Sequence, residues 1–131
     1  MKPLHLQYED DFADILQPAL DQCGGSHSMW DISDAIENGH MQFWPGVKSA
    51  MVTQIEQTPR RKFVHFFLAA GNLPELEAML PTILAWAKSQ GCDGATLAGR
   101  VGWQRSFLAA QGWTPQAVVM GYDFPTPESA T

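Results

Sequence analysis

The segment "KFVHFFLAAGNLPELEAMLPTILAWAKSQGCDGATLAG", residues 62–99, constrains the fold of this chain more than any other stretch. It opens with a strand-like run, "KFVHFFLAA", and closes with another, "GATLAG". Between them Leu73, Leu76, Met79, Leu80, Ile83, Leu84 and Ala87 recur with the spacing of one helix face. A strand, a helix and a strand in succession imply a parallel crossover, because the helix carries the chain back to the end where the first strand began. Two more strand-like runs come before this unit: "HMQFW", closed by Pro45-Gly46, and "SAMVTQIEQ", closed by Thr58-Pro59. Consecutive strands with short turns predict an antiparallel meander. The fold class is therefore α/β: a mixed, mainly antiparallel β-sheet with a central parallel crossover and helices on both faces.

The flanks extend the pattern. "PLHLQY" alternates apolar and polar side chains at Leu4, Leu6 and Tyr8, the period of a half-buried strand. Asp10 and Asp11 can cap a helix that carries Phe12, Ile15, Leu16, Ala19 and Leu20, with Pro18 placed to kink it. "CGGSHS" breaks the chain, and "WDISDAIENG" reads as a second helix ended by a left-handed cap at Asn38-Gly39. In the long helix, Asn72 followed by Glu75 nearly matches a capping box, and Pro74 is tolerated in the first turn. Pro81 lies deeper, where it is expected to bend or restart the helix. Downstream, "GWQRSFLAAQG" reads as a short helix stopped by Gly112, and "QAVVMGYDF" as a last strand. With 131 residues and no internal repeat, a single domain is expected over residues 1–124, followed by a frayed tail over 125–131.

The function classes narrow on charge. A formal net charge of −6 offers no footprint for nucleic acid, and the basic cluster Arg60-Arg61-Lys62 follows Thr58-Pro59 as a solvated turn tip. Cys23 and Cys92 lie far apart without a CxxC or a matched histidine pair, which argues against both a metal site and a disulfide framework. No window approaches 18 apolar residues, and "MKPLHLQYEDD" lacks the apolar core of a signal peptide. A cytoplasmic protein with no membrane partner is expected.

The order of elements resembles the GNAT acyltransferase fold over nearly the whole chain. In that family the fourth strand splays from the fifth, and acetyl-coenzyme A sits in the opening with its pyrophosphate on the N-terminus of the next helix. The resemblance places that site at "LAAGNLP", so that Leu68, Ala69, Ala70, Gly71 and Asn72 would bind the cofactor through main-chain groups. The family loop, Gln/Arg-x-x-Gly-x-Gly/Ala, is reduced here to Gly71, and Pro74 removes a donor from the turn. The family's tyrosine, four residues before a glycine, is Leu108 in "LAAQGW", which has no proton to give a leaving thiolate. Gly99, Arg100, Gly102 and Trp103 match a Gly-Arg-x-Gly-Trp segment of the GNAT-like proteins encoded among phage and prophage structural genes. That narrower resemblance implies a phage or host protein as partner and association with the virion.

Arg100 could meet an anionic ligand with its planar fork, and Trp103 could line the cleft beside it. Glu56 and His65 are the candidate bases for an acceptor amine. His5, His27 and His40 show no catalytic spacing with a serine or cysteine, and Cys23 has no local partner to lower its pKa. Trp30, beside "GGSHSM", could form a substrate lip or an interface. Two functions are thereby expected: a GNAT-like module with a degenerate acyl-coenzyme A site, virion-associated or host-interacting, or a working N-acetyltransferase. A regulatory binder of a small ligand is a third.

Overall fold

A computed structural model describes residues 13–23, 25–98, 107–117 and 120–125. The expected first strand at 3–8, the helix start at Asp10 and Asp11, the Gly99–Trp103 segment and the tail over 126–131 lie outside the described residues. The chain divides into two compact units, Met1–Ala98 and Gly99–Thr131.

The first unit is built on a four-stranded sheet in the order β1-β2-β3-β4: β1 Gln42–Pro45, β2 Ala50–Gln57, β3 Lys62–Ala70 and β4 Gly94–Leu97. The first three form the expected antiparallel meander, and β3 pairs with β4 in parallel. Helix α1 spans residues 13–20, and α2 is Met29–Glu37. The crossover helix, α3 (Leu73–Ser89), is continuous through Pro81 and is not restarted there. Leu80 and Ile83, buried on either side of the exposed proline, hold the helix against the protein. Its other buried side chains are Leu76 and Ala87, while Leu73, the first position of the stripe read from the sequence, is exposed.

Leu16, Leu20 and Ile32 from α1 and α2 pack with Met41, Ala50, Val52 and Leu68 in one buried cluster. The start of α2 is a full capping box. The Ser28 hydroxyl accepts from the Asp31 N–H, and the Asp31 carboxylate accepts from the Ser28 N–H at 2.8 Å. The Ser28 N–H and the Ser28 hydroxyl, both donating to it, hold the Asp31 carboxyl below the usual aspartate range. Asn38 and Gly39 end α2 as expected, with Gly39 at a φ of +80°, a conformation costly for any residue with a Cβ.

The basic cluster is drawn into the fold's own contacts. The Arg61 guanidinium lies 4.5 Å from the centre of the Phe63 ring, and Lys62 Nζ donates to the Gln90 carbonyl at 2.6 Å. Lys62 itself is the first residue of β3.

The second unit contains α4, Phe107–Ala110, closed by Gly112. The expected last strand does not form among described residues 113–117 and 120–125. Its alternating apolar residues Met120, Tyr122 and Phe124 are exposed, so the burial that would stabilise a strand face is missing.

Candidate functional site

The site is set by how β3 ends. Its parallel ladder with β4 runs from Phe63↔Gly94 to Phe66↔Leu97 and stops, while β3 continues to Ala70 paired with β2. Among the described residues, no strand flanks residues 67–70 on the edge away from β2. Alternate residues of a strand direct their N–H and C=O groups to opposite edges, so the groups this segment turns away from β2 have no strand partner among the described residues.

Phe67 marks the start of that segment. The β2–β3 register shifts there: Val52 pairs with Leu68 and Thr53 with Phe66, leaving Phe67 as the extra residue of a bulge. Side chains of directly paired residues share a sheet face. Leu68 and Val52 therefore face the α1/α2 cluster, while Phe66 and Thr53 face the other side. On that other side Trp44 packs edge-on against Trp86 of α3 and donates from Nε1 to Thr53 Oγ1 at 3.0 Å. The buried Thr53 hydroxyl in turn donates to Gln42 Oε1 at 2.8 Å.

The junction after β3 is tightly built. Gly71 has a φ of +122°, and a Cβ there would lie 2.6 Å from the Lys48 carbonyl oxygen and from Ser49 Cα. The small residue is required by the β1–β2 turn passing against it. Asn72 caps α3, its side-chain oxygen accepting from the Glu75 N–H at 3.2 Å, and the Asn72 N–H donates to Ser49 Oγ at 2.8 Å. Glu75 does not reach back to complete a capping box. Its carboxylate accepts instead from the N–H groups of Val47 and Lys48, at 2.8 and 2.9 Å. Hydrogen bonds from Ser49, Lys48 and Val47 keep this carboxyl below the usual glutamate range. The Asn72 and Glu75 N–H groups at this helix start are thus engaged within the chain.

The remaining candidates separate along the sheet. His65 shares a 2.8 Å hydrogen bond through Nδ1 with Thr96 Oγ1, its partner across the parallel ladder. Glu56 is exposed, opposite Phe63, and accepts from Gln54 Nε2 at 3.3 Å. His65 pairs with Gln54, so both candidate bases stand on the α1/α2 face. Leu68, Ala69 and Ala70 form the end of β3. Arg100 and Trp103 lie outside the described residues. Leu73 is half exposed at 51%, and Trp30 is 67% exposed.

Sequence reasoning passed over His27. Its ring packs edge-on against Phe67, with centroids 4.9 Å apart, and its Nδ1 lies 2.7 Å from Ser26 Oγ. No local spacing could have signalled a contact between residues so far apart in the chain. Among the described residues no three His, Cys, Asp or Glu side chains are grouped to hold a metal ion, and no helix is long and apolar enough to cross a membrane. Burial raises the Cys92 thiol above its ordinary range, which disfavours the thiolate.

No family model matches the sequence, and no curated protein matches it. Solved structures do. The chain is similar to a point mutant of TTHA1254 from Thermus thermophilus, with a TM-score of 0.62 at 15% identity over 94% of this chain and 95% of that one. It is similar to a tetramutant of BH1408 from Bacillus halodurans, with a TM-score of 0.60 at 15% identity over 92% and 90%. It is also similar to a possible acetyltransferase from Clostridium difficile 630, with a TM-score of 0.52 at 11% identity over 90% and 92%. The likeness is one of fold: distant structural homologues give the chain a GNAT-like architecture.

Proposed function

We propose that this chain is an N-acyltransferase that takes an acetyl group from acetyl-coenzyme A and passes it to an amine. The observation that carries the reading is the end of the β3–β4 ladder at Phe66↔Leu97, four residues before β3 itself ends. The arm of coenzyme A carries amide groups, which can bond to the main chain of residues 67–70 as an added strand would. That arrangement leaves the thioester at the bulge, where main-chain groups are re-aimed. The resemblance to a possible acetyltransferase supports the reading at the level of fold. The phosphate end fits less well, because Glu75 brings a negative charge to the helix start. Lys48, exposed in the adjoining turn, is the neighbouring cation.

The engaged helix start favours a second reading, a GNAT-like module of phage or prophage type with a degenerate acyl-coenzyme A site and a protein partner. Isothermal titration with acetyl-coenzyme A, coenzyme A and adenosine 3′,5′-bisphosphate separates the two. The enzyme reading expects micromolar binding of both thioester and free thiol, with the bisphosphate alone much weaker. Absence of binding at millimolar acetyl-coenzyme A would retire it in favour of the module.

A further inference from the structure

Resting on the acyltransferase reading, we infer that His27 is the base that takes the proton from the acceptor amine. The pairing with β4 stops at Phe66, and Phe67, the next residue along β3, is the bulge where the reacting end of the ligand is placed by that reading. Glu56 stands opposite Phe63, four residues back along β3, or about 13 Å at the rise of a strand. That is too far for direct proton transfer, which needs contact or a single bridging water. His65 is nearer, two residues from Phe67, but it stands within the paired part of the ladder, opposite Thr96 of β4 and before the point where that pairing stops. His27 is the described imidazole whose ring touches Phe67.

Its chemistry suits the task. When Nδ1–H donates to Ser26 Oγ, the neutral tautomer is fixed with the lone pair on Nε2. The loop that carries His27 is anchored by the capping box of the next residue, Ser28, so the ring is positioned by a rigid element. The side chain is neither sealed in the core nor fully exposed.

In the step itself, the amine nitrogen attacks the thioester carbonyl carbon as His27 Nε2 accepts its proton. The C–N bond forms and the C–S bond breaks. The electron pair leaves on sulfur, and the thiolate is protonated from solvent, to which His27 returns its proton.

The test uses the full chain with acetyl-coenzyme A and a set of primary amines, spermidine, tyramine and lysine, with released thiol as the readout. His27→Ala is expected to lower kcat by about 10²-fold or more, with coenzyme A affinity by titration unchanged within about twofold. Added imidazole should restore part of the lost rate in H27A and do nothing to the wild type, a response that a packing role would not give. A Ser26→Ala variant should lose a smaller part of kcat, through the tautomer alone. Wild-type turnover matched by H27A would overturn this assignment and leave the enzyme standing. Loss of rate in H27A without imidazole rescue, accompanied by weaker coenzyme A binding, would make His27 a packing residue. No thiol release by the wild type with any of the amines would overturn both readings.

Discussion

Replacing Gly71 by alanine tests whether the junction after β3 is shaped by the protein's own chain. Two costs combine. The φ of +122° is one that residues with a Cβ rarely adopt, which costs about 1–3 kcal/mol. The added Cβ would also stand 2.6 Å from the Lys48 carbonyl oxygen and Ser49 Cα, and would press on Ser49 Oγ as well. The first two are main-chain atoms of a turn whose Val47 and Lys48 N–H groups are held by Glu75, and Ser49 Oγ is itself bonded to the Asn72 N–H, so none can swing aside as a free side-chain tip would. Overpacking of this kind adds about 1–3 kcal/mol. Gly39 is the control, because it has a φ of +80° with nothing within 4 Å of its Cβ position, and so Gly39→Ala carries the backbone cost alone. Urea unfolding of both variants gives the comparison. With a slope of about 1–3 kcal/mol per molar, that added cost should place the midpoint of G71A about 0.3–3 M below that of G39A. Equal midpoints would refute the close approach, and would return Gly71 to the role of a residue kept small for a ligand.

Asn72→Ala should lower stability by about 1 kcal/mol, read in the same unfolding assay, by removing the cap on the Glu75 N–H. Thr53→Val keeps the volume but strands the Trp44 indole N–H and the Gln42 amide oxygen in a half-buried setting, so a loss of about 1–3 kcal/mol is expected by thermal or urea unfolding. Glu75 titrates below an ordinary glutamate, so the unfolded chain binds its proton first as pH falls. Its contribution is therefore complete above the ordinary glutamate pKa and is lost as pH drops through the lowered folded value. Wild type should lose stability over that acidic window more steeply than Glu75→Gln, measured by midpoints across a pH series.

The elements from 28 to 98 were legible because each rests on a local signal. Pro45-Gly46 and Thr58-Pro59 end strands, Gly39 ends α2, and the stripe from Leu76 to Ala87 is a helix face. What failed locally was decided by tertiary context. Pro81 did not break α3, since burial of Leu80 and Ile83 outweighs one missing hydrogen bond. Glu75 had the spacing to close a capping box, but the β1–β2 turn offered it two N–H groups in place of one. The alternation Val64, Phe66, Leu68 reads as one buried face, yet the pairing at Val52 and Thr53 turns Leu68 to the opposite side from Phe66. Both faces of the sheet are covered here, so burial keeps its period through the bulge and the pattern conceals it. His27 was invisible for a related reason: only the folded chain brings it to Phe67.

Because Phe67 is an extra residue, β3 is one residue longer than its pairing with β2 requires. Excising it would leave Phe66 opposite Thr53 and Leu68 opposite Val52, so both would keep their faces, and the loss would fall on Phe67's own contacts with the α1/α2 cluster and the His27 ring. Extra length added anywhere else in the strand would lack such an outlet, since a slip of one place turns every following side chain to the wrong side. The bulge is thus a point of slack in an otherwise fixed register. Chains that share this architecture while drifting widely in sequence can differ by one residue at that point, and would change the shape of the strand's edge there while the residues before and after it keep their faces.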